Sequence, residues 1–74
     1  MITIFSRSGC MQCMATERYA ASQGIPFVKE NIEENPSTRQ ILADQGFSQL
    51  PVVKTDEGEW WSGYRPDKLS QLIK

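Results

Sequence analysis

The sequence contains no histidine. Catalysis that depends on an imidazole base, as in Ser-His-Asp or Cys-His sites, is therefore excluded, and so are histidine-ligated zinc and histidine pH switches. Cysteine occurs only twice, so one chain alone cannot complete a tetrahedral thiolate metal site. Two cysteines are also fewer than a small secreted, disulfide-rich protein normally carries.

A strong charge of either sign and a long apolar run are missing as well. Eight Lys and Arg against nine Asp and Glu give a net charge of −1, and the scattered basic residues argue against a nucleic-acid partner. No apolar run approaches the roughly 20 residues that cross a bilayer, and the first residues lack the regions of a signal peptide. We therefore expect a soluble, cytoplasmic monomer that binds neither nucleic acid nor membrane.

The chain is short enough to predict a single domain over residues 1–74. Its apolar fraction of 39% and charged fraction of 23% are ordinary for a globular protein. A domain of this size buries only about 60% of the surface that its unfolded chain exposes. It is therefore not expected to hold a large cofactor, and we predict none.

Short apolar runs separated by turn residues predict four strands. The first two are expected over 2–5 and 27–32. The third strand starts at 50–53, and the fourth returns beside it over 59–62. The turn Asp56-Glu57-Gly58 joins the last two strands as an antiparallel hairpin.

Three helices are expected between and after these strands. The first runs over 11–23 and ends at Gly24, and the second starts at the capping pair Asn35-Pro36 and stops at Gly46. The third opens at Pro66, and its apolar side chains at helical spacing are Leu69, Leu72 and Ile73. The helical crossover makes the first two strands parallel. The expected fold is α/β, β-α-β-α-β-β-α, with a four-stranded mixed sheet flanked by three helices.

The cysteines form a C-x-x-C motif, Cys10-Met11-Gln12-Cys13, between the first strand and the first helix. A bridge across two residues removes little entropy from the unfolded chain, which favours a reversible switch over a structural staple. Cys10 falls near the helix N-cap, where the helix dipole, with added potential from Arg7, favours a thiolate. Cys13 lies one turn into the helix. We therefore expect Cys10 to attack and Cys13 to resolve.

Two other interpretations of the motif stay open. The pair could be half of a zinc site that a second chain completes, or two unrelated thiols of the core. Its place after a strand and before a helix favours redox chemistry.

Pro51 also has two interpretations. It could open an edge strand, where its missing N–H does no harm, or it could form a cis-proline loop beside the dithiol. In the second case the backbone of Leu50 would turn towards the cysteines and offer its polar groups to an extended partner segment.

The adjacent residues Trp60 and Trp61 should point to opposite faces of a strand, so one is expected in the core and the other nearer the surface. Exposed aromatic residues next to an arginine often mark a contact surface. The segment from Trp60 to Pro66 is therefore either structural core or binding surface.

Three segments together resemble the NrdH-redoxins, glutaredoxin-like proteins of the thioredoxin superfamily. They are Cys10-Met11-Gln12-Cys13, Gln49-Leu50-Pro51-Val52-Val53 and Trp61-Ser62-Gly63-Tyr64-Arg65-Pro66-Asp67. The resemblance covers essentially the whole chain, and the last segment is its most specific part. The family usually has Val at the position of Met11 and Phe at that of Tyr64.

The resemblance implies a thioredoxin fold with a cis-Pro51 and a dithiol that donates electrons to ribonucleotide reductase. It also implies recharging by thioredoxin reductase rather than by glutathione. Similar glutathione-using glutaredoxins have an acidic residue where Tyr64-Arg65-Pro66 stands, and Arg65 would repel the glutathione ammonium. A glutathione-dependent glutaredoxin is the alternative, and a metal-binding module shared by two chains is the alternative of another class. The expected partner surface comprises Met11, Gln12, Leu50, Pro51, Trp61, Tyr64 and Arg65, with no metal site.

Overall fold

Four strands and three helices follow one another in the expected order within residues 1–72, the part of the chain that the computed structural model describes. They are β1 (Ile2–Ser6), α1 (Met11–Ser22), β2 (Phe27–Asn31), α2 (Pro36–Asp44), β3 (Val52–Lys54), β4 (Trp60–Ser62) and α3 (Pro66–Ser70). The last helix ends before Leu72, and Ile73, expected on its apolar face, lies outside the described residues.

The strands form one sheet in the order β2-β1-β3-β4. β1 pairs in parallel with β2, as the helical crossover between them requires, and antiparallel with β3. β3 and β4 form the expected antiparallel hairpin, in which Val53 stands opposite Trp61. The N-terminal strand is thus an inner strand, and the loop that follows it leaves from the middle of the sheet.

Helices cover both faces of this sheet because side chains alternate along each strand. The face that we call the α1/α3 face has a core of buried apolar residues: Ile2, Ile4, Ala20, Ile25, Val53, Trp61 and Leu69. The opposite face, which we call the α2 face, has a smaller buried core: Phe5, Ile32, Leu42 and Val52. Half-buried apolar side chains complete the α2 face: Phe47, Leu50 and Trp60.

Both long helices end in the same way, through a glycine in the left-handed region. At the end of α1, Gly24 has φ +69°, its N–H donates to the carbonyl of Ala21, and the N–H of Ile25 donates to that of Ala20. Gly46 ends α2 with φ +86°, and the N–H of Phe47 donates to the carbonyl of Leu42. This double hydrogen bonding satisfies helix carbonyls that would otherwise lack partners. It also fixes the direction in which the chain leaves each helix.

The start of α2 differs from the expectation in one respect. Asn35 occupies the N-cap, with Pro36 as the first helical residue, but its side chain makes no capping hydrogen bond. Its Nδ2 instead lies 3.5 Å from Oε1 of Glu30, the atom to which the buried Thr38 donates at 2.7 Å. The Asn35 side chain is therefore turned towards the carboxylate of β2 and away from the helix amides.

Candidate active site

The two cysteines stand at the start of α1 in different surroundings. Cys10 is the N-cap and is half-buried, whereas Cys13 is 1% exposed, and a disulfide joins them. The N–H of Cys13 donates to Sγ of Cys10 at 3.1 Å. A thiolate at Cys10 would keep this donor, and hydrogen bonds to charged acceptors are the stronger ones. The sulfur that solvent and partners can reach is thus also the sulfur that the helix start stabilises.

The loop between β1 and α1 delivers Cys10 to this position. Gly9 has φ +76°, a conformation that favours glycine, and Cys10 itself has an extended backbone at φ −90° and ψ 107°. That geometry turns the Cys10 carbonyl into the helix, where it accepts from the N–H of Met14 at 3.1 Å. The helix consequently begins at Met11, with Cys10 Sγ facing its free amides.

Pro51 directly precedes Val52, which pairs with Phe5 of β1, so Pro51 stands near the end of β1, from which the loop to Cys10 leaves. Its peptide bond with Leu50 is cis, its side chain is buried, and its carbonyl accepts from the N–H of Gly63 at 2.8 Å. The edge-strand interpretation is wrong, because β3 lies between β1 and β4. The missing N–H removes no sheet hydrogen bond, since strand pairing begins only at Val52.

An open groove of about 760 Å³ extends from Cys10 along the α2 face. Three of the residues expected to contact a partner line it: Met11, Gln12 and Leu50. Met11 is 78% exposed, which leaves a large apolar side chain directly beside the accessible sulfur. One wall of the groove is apolar and is built by Ile32, Leu42, Phe47 and Val52, whereas Gln12, Ser48 and Gln49 are polar residues of the lining. Arg7 and Arg39 stand at its rim.

The sequence alone did not indicate that Phe47 and Trp60 support this groove. Phe47 is directed back over the sheet by the end of α2, and its ring stacks on Trp60 with centroids 5.9 Å apart. Trp60 stacks in turn on Phe5 of β1 at 6.0 Å. One sequence signal for Phe47 was available, since it is an apolar residue directly after Gly46, which ends a helix. Apolar residues at this position commonly fold back onto the helix.

Trp61, which is expected to contact a partner, offers little accessible side chain for such a contact. Trp61 is 5% exposed and belongs to the core of the α1/α3 face, where Val53 stands opposite it. The pair does divide between the two faces, as alternation along a strand requires. Trp60 is the more exposed of the two, but it packs beneath the groove and does not line it.

Tyr64 and Arg65 do not line the groove. Tyr64 is 37% exposed and meets Tyr19 of α1 edge to face at 6.4 Å. Gly63, which precedes it, lies close to the side chain of Gln12. The segment of Gly63 and Tyr64 is therefore adjacent to the C-x-x-C motif at Gln12. The role of Tyr64 in partner contact stays a prediction.

Arg65 does not present the free positive charge expected from the sequence. Its Nε and Nη2 donate to the two carboxylate oxygens of Asp67 at 3.2 and 3.1 Å. The guanidinium lowers the pKa of Asp67 by this hydrogen bonding, and the carboxylate raises the pKa of Arg65 in return. Because the two charges balance, repulsion of an ammonium by Arg65 is weaker than the sequence suggested.

A carboxylate that the sequence did not single out holds the loop before Cys10. Oε1 of Glu33 accepts from the N–H of Ser8 at 2.9 Å. This backbone donor lowers the pKa of Glu33, and the positive charges of Arg7 and Arg39 lower it further. No sequence signal marked this contact, because the two residues are 25 positions apart.

Two further observations concern metal ligands and helix length in the part of the chain that the structure describes. Within residues 1–72, no cluster of three or more Cys, Asp or Glu side chains is arranged to hold a metal ion. None of the helices in that range has the length and apolarity to pass through a bilayer.

Comparisons with known proteins converge on one group. A family model described as Glutaredoxin matches residues 2–60. The Glutaredoxin-like protein NrdH of Salmonella typhimurium is 44% identical over 71 residues, which cover 96% of this chain and 86% of that protein. Its counterpart from Escherichia coli K12 is 42% identical over the same shares. The solved structure of NrdH-redoxin from Escherichia coli superposes with a TM-score of 0.94 at 41% identity, covering 99% of this chain and 95% of that one.

Proposed function

Because the chain belongs to the NrdH group of glutaredoxin-like proteins, a thiol–disulfide oxidoreductase family with a thioredoxin-like fold, we propose that it donates electrons to ribonucleotide reductase. In this proposal thioredoxin reductase returns the electrons. Cys10 is the nucleophile and Cys13 the resolving thiol. The dithiol is the whole redox centre, with no bound cofactor.

The difference between the two sulfurs carries the proposal. The Cys10 thiolate, reachable and held by the Cys13 N–H, attacks one sulfur of the partner's disulfide. A mixed disulfide forms, and the partner's other sulfur leaves as a thiolate that takes up a proton. Cys13 then loses its proton and attacks Cys10 Sγ. This second step closes the Cys10–Cys13 bond and releases the second partner thiol, so two electrons have passed to the partner.

The groove supports a protein segment as the substrate. Its apolar wall and the exposed side chain of Met11 offer contact area for an extended chain beside Cys10. Leu50, half-buried and preceding the cis peptide bond, brings its backbone to the edge of the same groove. A partner strand lying there would bring its disulfide to the accessible sulfur with its backbone alongside Leu50.

Two observations support thioredoxin reductase as the reductant. The Escherichia coli protein, which is 41% identical, is described as having a thioredoxin-like activity profile. The region expected to select against glutathione offers Tyr64, a neutralised Arg65 and Pro66, which has no N–H. Asp67 is the nearest following acid, and Arg65 already occupies it. A ligand ammonium therefore finds no free carboxylate in this segment.

Parallel turnover assays test the proposal. The oxidised protein is supplied either with thioredoxin reductase and NADPH or with glutathione, glutathione reductase and NADPH, and a ribonucleotide reductase serves as final acceptor. We expect sustained deoxyribonucleotide formation with thioredoxin reductase and slow formation with glutathione. The Cys10→Ser protein is the control that accounts for direct transfer. Faster turnover with glutathione than with thioredoxin reductase would replace this proposal by the glutaredoxin alternative.

A further inference from the structure

The Glu33 carboxylate of this chain occupies a hydrogen-bond donor that could otherwise bind the carboxylate of a ligand. It accepts from the Ser8 N–H at 2.9 Å in the loop that leads to Cys10. Two arginines of the groove rim, Arg7 from that loop and Arg39 from α2, act on it electrostatically. A backbone donor and two guanidinium groups near an accessible thiol are what an anionic thiol would use for orientation.

The turn after β2 places this carboxylate. The Glu33 N–H donates to Oδ1 of Asn31 at 2.8 Å, and the Glu34 N–H donates to the Asn31 carbonyl at 3.2 Å. The preceding residue, Ile32, is buried in the α2 face, and its N–H donates to the carbonyl of Ser6 at 2.9 Å. Glu33 therefore starts from backbone anchored on both sides, with its side chain directed to the Ser8 amide.

We propose that Glu33 is a specificity-determining residue that keeps small anionic thiols, glutathione above all, from using the arginine rim beside Cys10. The inference deepens the proposed function and rests on it. Glutathione carries two carboxylates and one ammonium, so its net charge has the sign of Glu33. The internal carboxylate repels it and also occupies the Ser8 amide. A protein partner, which gains its affinity from the apolar wall, is affected much less.

Glu34 provides a matched control. It is the next residue, equally exposed and equally charged, but its side chain makes no hydrogen bond or ion pair with the described residues. Glu34→Gln therefore changes the net charge by the same amount as Glu33→Gln and leaves the Ser8 contact in place. Glu33→Gln keeps an amide oxygen that can accept from Ser8, so the loop keeps its anchor while the charge is lost.

The reaction to be followed is reduction of the Cys10–Cys13 disulfide by glutathione. One glutathione thiolate attacks Cys10 Sγ, forms a mixed disulfide and releases the Cys13 thiolate, which takes up a proton. A second glutathione thiolate attacks the glutathione sulfur of that mixed disulfide and releases the Cys10 thiolate, which stays ionised or takes up a proton. Two glutathiones are oxidised to glutathione disulfide while one protein disulfide is reduced.

The experiment measures the rate of this reduction with excess glutathione and, separately, with 2-mercaptoethanol, which is neutral. The ratio of the two rates removes changes in the intrinsic reactivity of the disulfide. We expect Glu33→Gln to raise the ratio about two- to fivefold at low ionic strength, the size of a single exposed charge interaction. The gain should vanish near 1 M salt, where the screening length falls to about 3 Å.

Three outcomes separate the possibilities. The inference holds if Glu33→Gln raises the ratio, Glu34→Gln does not, and Arg39→Gln added to Glu33→Gln removes the gain. Equal ratios for wild type and Glu33→Gln, or equal increases in both glutamate variants, overturn it. A wild-type protein that already turns over faster with glutathione than with thioredoxin reductase contradicts the proposed function instead. That last result is obtained without any variant of Glu33.

Discussion

The two faces of the sheet differ in how completely they are closed. On the α1/α3 face, seven apolar residues of the core are at most 8% exposed, and the buried Cys13 lies in the helix that packs there. The α2 face has four such residues. Three half-buried apolar side chains pack against each core, but the groove runs along the α2 face. Cys10 stands where the groove begins.

This difference assigns separate tasks to the two faces. Burial of apolar area supplies most of the favourable free energy of folding. The α1/α3 face, which buries more apolar residues, therefore contributes more to stability than the α2 face does. Apolar surface left beside a reactive sulfur serves contact with other molecules. Variants on the two faces should therefore differ in which property they change.

The largest expected effect comes from the two sulfurs themselves. Cys10→Ser and Cys13→Ser should both reduce dithiol turnover to background, but only Cys13→Ser should accumulate a mixed disulfide with a disulfide substrate. The reason is that the accessible attacking thiolate remains while the buried resolving thiol is gone. Non-reducing electrophoresis and intact mass after incubation with oxidised insulin report the adduct. Equal accumulation by both variants would show that burial does not assign the roles.

The next effect compares a leucine from each face. Leu69→Ala on the closed face should lower the free energy of unfolding by about 2–5 kcal/mol, because a fully buried side chain leaves a cavity. Leu50→Ala at the groove should lower it by only about 1 kcal/mol, since that side chain is half-buried. Urea unfolding of the oxidised proteins gives both values.

The same two variants should reverse their order in function. At a temperature where both remain folded, Leu50→Ala should slow reduction of a protein disulfide more than Leu69→Ala does, because Leu50 lines the groove. The contrast between the faces is contradicted if the variant that loses more stability also loses more turnover, or if the two variants lose equal amounts of both.

A smaller effect uses the two adjacent tryptophans as reporters of the two faces. Trp61→Phe leaves Trp60 as the single tryptophan, and Trp60→Phe leaves Trp61. Acrylamide should quench the fluorescence of Trp60 more strongly, because Trp61 is 5% exposed and Trp60 is half-buried. Stern–Volmer slopes of the two folded variants check this. A steeper slope for the protein that retains Trp61 would contradict the assignment of the faces.

The smallest effect concerns the exposed pair of Arg65 and Asp67. Its hydrogen bonding lowers the pKa of Asp67 below the ordinary 3.8, so the folded state favours the ionised carboxylate. The resulting stabilisation is complete above that ordinary pKa and is lost as the pH falls through the lowered pKa. At about pH 7 the urea midpoint of Asp67→Asn should therefore be slightly below that of the wild type. At about pH 2 the two midpoints should lie closer together.

Glu57→Gln is the control for this pair, since Glu57 lies in the exposed hairpin turn and the substitution removes the same charge as Asp67→Asn does. It should leave the pH dependence of the urea midpoint unchanged. An equal response to both substitutions would mean that the Arg65 contact adds nothing beyond net charge.

Much of the fold could be predicted because its boundaries depend on local chemistry. Gly24 and Gly46 end helices, Pro36 and Pro66 begin them, and the C-x-x-C motif lies between a strand and a helix. Each of these signals lies within a few residues of the boundary that it marks. These constraints act on the local backbone, so they can be recognised from the sequence alone.

The parts that could not be predicted depend on contacts between distant segments. Alternation separates Trp60 from Trp61, but which of them enters the larger core depends on where α1 and α3 pack. The groove wall from Phe47 and the contact between Glu33 and Ser8 likewise join segments that only the folded chain brings together. Asn35 shows the converse, since a favourable local cap is not made when a long-range carboxylate competes for the side chain.

The inner position of β1 has a consequence for biosynthesis. Ile2–Ser6 is synthesised before the other three strands, yet one of its two neighbours in the sheet, Val52–Lys54, follows it by more than 40 residues. Until that segment emerges, β1 and β2 form at most a two-stranded ribbon with an unpaired apolar edge, which is marginally stable in water. The sheet of a nascent chain therefore cannot be completed until β3 and β4 have emerged, and β1 stays accessible to chaperones until then.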